Sequence, residues 1–533
     1  MSPSGTRANG WLAAMAGVAA ALFAVGVGEL TAAIVAPGSG PLVVVGSALI
    51  ELAPPWAKDA AIALFGTGDK AALLVGIGIV LVLVAAGAGL LEARVPPWGR
   101  VVFGVLGAAG IVAAVTRAGA GPLALLPSGL AGVAGAMAVM VLVQRLPGAA
   151  RRASEASGRP EASAGPDATD RPDASAALPD RRRFLVWAGG AAAIGLVASA
   201  AAWAGQAGRR AVQSVREALV LPSPAATADI PTGAQLDVDG LSPVITPNAD
   251  FYRIDTALVV PEVDPAGWSL RIHGDVAEEV VVTWDELLAL PMSEFAVTLA
   301  CVSNEVGGGL IGNAVWLGTP IRDLLAKARP AAGADMVLSR SIDGFTAGTP
   351  LEVLQDPGRD AILAIGMNGD PLPLDHGFPV RMVVPGLYGY VSATKWVTEL
   401  EVTRFDEASA YWTDRGWSAE GPIKLSSRID VPRRGATVAA GPVVVAGVAW
   451  HQHTGIGAVE VQVDDGPWHE ADLATAISAD TWVQWRWEWQ APSGSHTLRV
   501  RATGADGEVQ TDEVRPVTPD GSTGLHRVDV SVQ

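Results

Sequence analysis

The stretch "TLACVSNEVGGGLIGNAVWLG", residues 298–318, contains Cys301, the only cysteine in the 533-residue chain. An apolar, strand-like run ends at this cysteine. The loop that follows carries Ser303, Asn304 and then three consecutive glycines. Sites are often built on loops at strand ends, and glycine lets the backbone approach a ligand closely. A lone cysteine is also often a small buried hydrophobe, so the pattern alone leaves a structural and a chemical interpretation.

Two kinds of chemistry would use such a thiol. A thiolate is a soft ligand for a transition metal, and a cysteine beside a histidine can act as a nucleophile. The downstream chain offers His376, Arg381 and Lys395 as partners. One cysteine cannot build a protein-only thiolate metal site, so a metal here would be held mainly by the sulfurs of a cofactor.

Residues 1–147 are almost uncharged and predict a helical transmembrane bundle. A membrane-spanning helix needs about 20 apolar residues. Four stretches meet this length with their flanks: 11–35, 71–91, 101–115 and 123–143. A fifth stretch, 41–65, is interrupted by "ELAPPWAKD" and predicts a loop with short surface helices.

Residues 148–182 are rich in Ala, Ser, Pro, Asp and Arg and predict a disordered cytoplasmic linker. Residues 183–207 follow an arginine cluster and predict either a further membrane anchor or an export signal of the twin-arginine type, with Arg181 and Arg182 as the pair. Lys and Arg flank the spans mainly on one side. That bias predicts a multi-pass protein of the cell membrane, with the chain after about residue 205 outside the cytoplasm.

The composition excludes several functions. The net charge of −17 argues against nucleic-acid binding. None of the seven histidines lies in a predicted span, and one cysteine cannot supply a CxxCH haem attachment or an iron–sulfur cluster. The sequence therefore contains no signal for a second redox centre.

The remaining chain predicts two further domains after a linker at residues 208–244. Residues 245–425 mix strand-like runs with short amphipathic helices, as in an α+β domain. Residues 426–533 read as short alternating strands, clearest in "WVQWRWEWQ" at residues 482–490. Such strands at regular spacing predict a β-sandwich.

Three features together resemble the sulfite oxidase family of molybdopterin enzymes, over about residues 248–533. They are "TLACVSNEVGG", the run "MNGDPLPLDHGFPVRMVVPGLYGYVSATKWVTELEVT" at residues 367–403, and the β-sandwich after it. With the N-terminal bundle, the arrangement is similar to membrane-anchored members from actinobacteria. The resemblance implies three parts: an N-terminal α-helical transmembrane bundle, an α+β sulfite-oxidase-type molybdopterin domain, and a C-terminal immunoglobulin-like β-sandwich. The last is often used for dimerisation, which makes a homodimer an expectation.

The resemblance also implies site residues. Cys301 matches the cysteine whose thiolate binds molybdenum, and Lys395 matches the lysine at the phosphate of the cofactor. Arg and Lys suit a phosphate because they donate charge-assisted hydrogen bonds. The implied contacts to the molybdenum–molybdopterin cofactor are Asn248, Tyr252, Arg253, Cys301, Ser303, Asn304, Asp343, His376, Arg381, Ala393, Thr394 and Lys395.

The sequence departs from the sulfite-oxidising pattern at the substrate side. Glu305 stands where those members carry positive charge, and a carboxylate near the metal would repel sulfite. In "YWTDRGW", residues 411–417, Trp417 takes the place of a tyrosine, and Tyr411 and Trp412 are expected at the mouth of the site. These departures disfavour sulfite as the substrate.

The expected function is that of a membrane-anchored, extracytoplasmic molybdopterin oxidoreductase. It would transfer an oxygen atom to or from a small substrate and exchange electrons with a separate carrier, a cytochrome or a quinone-linked membrane protein. Three alternatives remain at this stage. They are an S-oxide reductase of the same family, acting for example on oxidised methionine, a non-enzymatic surface protein with an Ig-like module, and a Cys301–His376 thiol enzyme.

Overall fold

The computed structural model describes residues 3–36, 39–52, 69–116, 122–146, 177–204, 207–257 and 259–533. The chain divides into two compact units. The first comprises residues 1–210 with 257–259, and the second comprises residues 211–256 with 260–533.

The described part of the first unit is helical. Its helices are α1 (Pro3–Val35), α2 (Pro41–Leu52), α3 (Asp69–Arg94), α4 (Trp98–Val115), α5 (Leu125–Gln144) and α6 (Ala177–Ala204). Within the described residues, five segments are long and apolar enough to cross a membrane, judged by length and composition: Gly10–Val35, Val75–Arg94, Trp98–Val115, Leu125–Gln144 and Arg182–Ala200.

The predicted spans correspond to α1, α3, α4 and α5, and the fifth membrane-length segment lies in α6. Two details differ from the sequence interpretation. Helix α6 begins at Ala177, within the predicted linker, whose residues 148–176 lie outside the described part of the chain. Helix α2 is not a surface helix, because its apolar Val44 is fully buried against Ala114 and Ala124.

Glycines let the helices of the first unit approach each other closely. A Cβ atom added at Gly89 of α3 would lie 2.0 Å from the carbonyl oxygen of Ala13 in α1, and one at Gly17 would lie 1.9 Å from that of Ala85. A side chain at either position would force the two backbones apart. Small residues at helix contacts are the usual means of close packing in membrane proteins.

Two neighbouring glycines of α3 provide a test of this packing. We expect Gly89→Ala to destabilise the bundle by roughly 1–3 kcal/mol, the usual range for overpacking. Gly87→Ala is the matched control, because a Cβ there meets nothing within 4 Å. Thermal unfolding in detergent should show a lower midpoint for the first variant only. Equal midpoints for the two would contradict the close approach of α1 and α3.

The second unit begins within helix α7, at residue 211, and an extended segment follows the helix; the two cover the predicted linker at 208–244. Helix α7 spans Ala207–Ala218, and its Val212 is buried in one core with Phe251 and Trp316. Arg216 donates to the carbonyl oxygens of Pro371 (2.8 Å) and Leu372 (2.7 Å). These contacts make the segment an integral part of the unit.

The α+β part contains two five-stranded sheets. In the first, the strand order is β2-β1-β10-β5-β6, and in the second it is β3-β4-β7-β8 with β9 paired to β7. The strands are β1 (Ser269–Gly274), β2 (Val280–Thr283), β3 (Ser293–Ala300), β4 (Ile311–Pro320), β5 (Met336–Ser341), β6 (Thr346–Pro350), β7 (Ile362–Met367), β8 (Asp370–Pro371), β9 (Arg381–Val383) and β10 (Val397–Thr403). The helices are α8 (Trp284–Leu288), α9 (Ile321–Ala328), α10 (Leu351–Gln355) and α11 (Gly389–Ser392).

The cysteine lies at the turn of a buried hairpin. Strand β3 pairs antiparallel with β4, with Ala300 opposite Ile311, so Cys301 is the first residue of the connecting loop. The last four residues of β3 are buried. A strand buried on both faces reads as a continuous apolar run, which explains the sequence before the cysteine.

The C-terminal part is an Ig-like sandwich of two sheets, with orders β11-β13-β17-β16 and β12-β19-β18-β14-β15. The strands are β11 (Ser426–Val431), β12 (Thr437–Val438), β13 (Gly441–Trp450), β14 (Ile456–Val463), β15 (Trp468–Glu470), β16 (Asp472–Leu473), β17 (Val483–Ala491), β18 (Gly494–Gly504) and β19 (His526–Val532). Along β17, Trp485 and Trp489 are buried in the core, whereas Arg486 and Glu488 are exposed. The alternation in "WVQWRWEWQ" therefore reflects the two faces of one sheet, and the predicted sandwich is confirmed.

Candidate active site

A cleft with an empty volume of about 850 Å³ is lined by Cys301. Its aromatic lining residues are Phe251, Tyr252, Phe345, Tyr390, Trp396, Trp412 and Trp417. Its ionisable residues besides Cys301 and the tyrosines are Asp255, Asp343, Arg381 and Lys395. An apolar cleft with a few convergent polar groups is the usual form of a small-molecule site.

The loop after β3 holds the Cys301 thiol at the edge of this cleft. The Cys301 amide donates to the Leu310 carbonyl oxygen (2.9 Å), and the Asn304 amide donates to the Cys301 carbonyl oxygen (3.0 Å). The Asn304 side chain closes the loop by accepting from the Leu310 amide at 2.8 Å. Burial raises the pKa of the Cys301 thiol, and hydrogen bonds with Ser303 act in the opposite direction.

Two buried cations, Arg381 and Lys395, also line the cleft. Arg381 donates to the carbonyl oxygens of His376 (3.2 Å) and Met382 (3.3 Å), and burial lowers its pKa to about 10. Among the described residues no carboxylate forms an ion pair with it. Lys395 donates to Asp255 (3.0 Å) and to the Asp375 carbonyl oxygen (2.8 Å), and burial lowers its pKa to about 8.

The buried Arg381 guanidinium contacts two carbonyl oxygens and the ring of Trp316, whose centroid is 4.9 Å from Cζ, but no carboxylate among the described residues. Transfer of a charge out of water is costly unless it is paired. The region around Arg381 and Lys395 is therefore suited to an anion, since a phosphate or another anionic group would supply the missing negative charge.

His376 is buried behind the cleft and does not line it. Burial, together with the charges of Arg381 and Lys395, lowers its pKa to about 3, so the ring is neutral at ordinary pH. Its Nδ1 atom is buried and has no hydrogen-bond partner among the described residues. The ring packs edge-on against Phe251, with the centroids 5.5 Å apart.

The structure places most of the predicted site residues together. Those that line the cleft are Tyr252, Cys301, Ser303, Asp343, Arg381, Ala393, Lys395 and Trp417. Those that lie outside its lining are Asn248, Arg253, Asn304, His376, Thr394 and Tyr411. Asn304 closes the cysteine loop, and the hydroxyl of Thr394 is hydrogen-bonded to that of Ser339 at 2.7 Å. The roles of all these residues toward a cofactor stay predictions.

Two expectations about the substrate side need correction. Glu305 is exposed and does not line the cleft, because the loop turns outward after Asn304, so its carboxylate gives no reason to exclude an anion. Tyr411 does not line the mouth either. Its ring packs behind the lining residues Trp412 (5.2 Å) and Phe345 (5.8 Å).

Sequence reasoning placed Trp412 and Trp417 at the site but missed Tyr390 and Phe345 of the same aromatic wall. Tyr390 and Trp417 have ring centroids 5.9 Å apart, Trp412 and Trp417 are 6.2 Å apart, and Phe345 adjoins them through Tyr411. The Tyr390 hydroxyl donates to the Ser418 carbonyl oxygen at 2.9 Å. Tyr390 stands inside the matched motif "YGYVSATKW", so its position was a usable signal. Nothing in the local sequence marks Phe345.

Comparison with known proteins agrees with this geometry. Residues 257–412 match the oxidoreductase molybdopterin binding domain, and residues 426–500 match the bacterial Ig domain. The chain is 32% identical over 339 residues to mitochondrial sulfite oxidase of Mus musculus, covering 54% of this chain and 62% of that one. It is 30% identical over 324 residues to sulfite oxidase of Gallus gallus, covering 51% and 69%. Among solved structures, the sulfane dehydrogenase SoxCD from Paracoccus pantotrophus is similar with 23% identity and a TM-score of 0.47, covering 54% of this chain and 81% of that one.

The residues present fit the cofactor that this match implies. Cys301 offers one soft sulfur ligand. Arg381 and Lys395 offer buried positive charge, and Arg381 has no carboxylate partner among the described residues. His376 Nδ1 is a buried polar atom in the same region without a hydrogen-bond partner among those residues. The match, the placed thiol and the two cations lead to one conclusion: the chain belongs to the sulfite oxidase family of molybdenum-dependent oxidoreductases.

Proposed function

We propose that this protein is a membrane-anchored oxidoreductase that transfers an oxygen atom to or from a small substrate at a molybdenum–molybdopterin cofactor. The observation that carries the proposal is the convergence of the only thiol and two buried cations on one cleft. A surface module without a cofactor would retain a buried, unpaired guanidinium for no gain. That cost argues against the non-enzymatic alternative.

The chain's own residues would bind and orient the cofactor. The Cys301 thiolate would be a metal ligand, while Arg381 and Lys395 would donate to anionic groups of the pterin portion. The bound cofactor supplies two-electron oxygen-atom transfer. The aromatic wall would limit the access of water to the reacting substrate.

The electrons would pass to or from a separate carrier. With one cysteine and no histidine in the predicted spans, the sequence has no signal for a second redox centre. A cytochrome or a quinone-linked membrane protein would fit this need. The five membrane-length helices of the described residues and the bias in Lys and Arg support an anchored protein with its cleft outside the cytoplasm. The segment that follows Arg181 and Arg182 would serve either as a further anchor or as an export signal. The Ig-like domain would support a homodimer.

The lining favours an uncharged substrate. Around Trp412 and Trp417 the wall is aromatic, and Arg381 and Lys395 are the only cationic residues among the described lining residues. If the cofactor engages those two, little positive charge is left for sulfite. Reduction of an organic S-oxide is therefore the favoured direction within the proposal: R₂SO + 2 H⁺ + 2 e⁻ gives R₂S + H₂O.

The cofactor is tested by metal content. In a host that supplies molybdopterin, we expect near-stoichiometric molybdenum in the purified parent chain and strong loss in Cys301→Ala, because the thiolate ligand is gone. Elemental analysis measures both, and thermal unfolding of the variant controls for its fold. Absence of molybdenum from the parent chain would contradict the proposal and favour a non-enzymatic surface protein with an Ig-like module.

The pH dependence of alkylation at Cys301 distinguishes a metal ligand from a nucleophile. In the cofactor-free chain, we expect alkylation of Cys301 by iodoacetamide to rise with a midpoint above the usual thiol pKa of about 8.5, because burial disfavours the thiolate. Ser303→Ala should move the midpoint higher still, since Ser303 stabilises the thiolate. A midpoint well below 8 would instead support a Cys301–His376 thiol enzyme, although a neutral His376 offers no imidazolium partner.

The substrate preference is tested at the aromatic wall. With reduced viologen as electron donor, we expect methionine sulfoxide or dimethyl sulfoxide to be reduced faster than sulfite is oxidised with ferricyanide. Trp412→Ala should raise KM for the S-oxide roughly tenfold, as expected for the loss of an aromatic contact worth about 1–1.5 kcal/mol. Tyr411→Phe, outside the lining, is the control. Faster turnover of sulfite than of either S-oxide would contradict the preference for an uncharged substrate.

A further inference from the structure

The strand that leads to Cys301 is attached to the Ig-like domain. Three residues before the cysteine, the Thr298 hydroxyl accepts from the Trp482 amide at 2.8 Å. The Thr298 amide donates to the Asp480 carbonyl oxygen (3.0 Å), and the Gln452 side chain donates to the Thr298 carbonyl oxygen (3.3 Å). The hydroxyl, the amide and the carbonyl oxygen of Thr298 thus each form a hydrogen bond with this domain.

The loop after Cys301 is attached to the same domain by three other residues. The Ser522 hydroxyl donates to the Asn304 carbonyl oxygen at 2.8 Å, and Arg428 Nη1 donates to the Gly308 carbonyl oxygen at 2.8 Å. The ring of His526 fills the space beside Gly307, where an added Cβ would lie 2.1 Å from its Cδ2 atom. Gly307 has φ +78°, so the missing side chain permits both the turn and the ring.

The anchoring residues are themselves fixed. Arg428 is buried and paired with Asp430, with Nε 2.6 Å from Oδ1. His526 Nδ1 accepts from the Ile429 amide at 3.0 Å, which requires a neutral ring. Burial and the charge of Arg428 lower the pKa of His526 to about 4, so this hydrogen bond persists at ordinary pH.

We infer that the Ig-like domain positions the Cys301 sulfur, with Ser522, His526 and Arg428 acting as positioning residues on the cysteine loop. A loop with three consecutive glycines loses much conformational entropy when it is ordered. Contacts from the Ig-like domain hold this loop in one conformation, which its glycine-rich sequence would not do alone. The link to the thiol is short, because the Asn304 amide donates to the Cys301 carbonyl oxygen and Ser303 hydrogen-bonds with the Cys301 thiol. The consequence for the metal rests on the proposed function, whereas the order of the loop does not.

Thiol labelling of the cofactor-free full chain measures this order. Cys301 is the only cysteine, so a thiol reagent such as DTNB reports a single site. We expect Ser522→Ala to increase the labelling rate about fivefold, the effect of one lost hydrogen bond on local opening. Thr523→Val is the matched control. It removes the neighbouring hydroxyl, which donates to the Glu513 carbonyl oxygen at 2.6 Å and does not contact the cysteine loop.

His526→Asn supplies a second variant, because asparagine keeps an acceptor for the Ile429 amide but removes the ring beside Gly307. In molybdenum-loaded protein, the electron paramagnetic resonance spectrum of the one-electron-reduced metal should change in Ser522→Ala and His526→Asn and stay unchanged in Thr523→Val. Labelling rates and spectra that match the parent in both variants would overturn the inference. Absence of molybdenum from the purified chain would contradict the proposed function, whereas the labelling rates would still test the inference about the loop.

Discussion

The pairing of β3 with β4 is the constraint on which the active site depends. It ends with Ala300 opposite Ile311, and this register fixes where the chain must leave the sheet. Because the strand is buried at its end, Cys301 emerges from the core at the edge of the cleft rather than at the surface. A shift of one residue would turn the thiol to the opposite face of the sheet.

Electrostatics adds a second constraint on the same cleft. Lys395 has a carboxylate partner in Asp255, whereas Arg381 has two carbonyl oxygens and the ring of Trp316. His376 stays neutral beside them, since a third positive charge in this buried region would be strongly unfavourable. The site therefore combines a thiol that resists ionisation with two buried cations, of which Arg381 has no carboxylate partner among the described residues. Both properties suit a cofactor that brings its own metal and its own anion.

The sequence predicted the parts of this site that short motifs encode. Cys301, Arg381 and Lys395 were identified from their local patterns, and the sandwich followed from the alternation along β17. The exposure of Glu305 and the packing of Tyr411 behind Trp412 could not be predicted, because loop direction is set by tertiary contacts. The same holds for Ser522, which reaches the cysteine loop across 218 residues of sequence. In the helical unit, the burial of Val44 in α2 was missed because burial against Ala114 and Ala124 depends on tertiary contacts, whereas residues 53–65 of the same predicted stretch lie outside the described part of the chain.

The unpaired charge of Arg381 has a consequence for how the protein matures. Under the proposed function, the anion that completes this site arrives only with the cofactor, so the empty chain carries an electrostatic penalty in its core. A ligand that binds only the folded state stabilises it by mass action. Cofactor binding and folding are then one coupled equilibrium. Proteolysis of unfolded chains would therefore remove mainly protein without its cofactor.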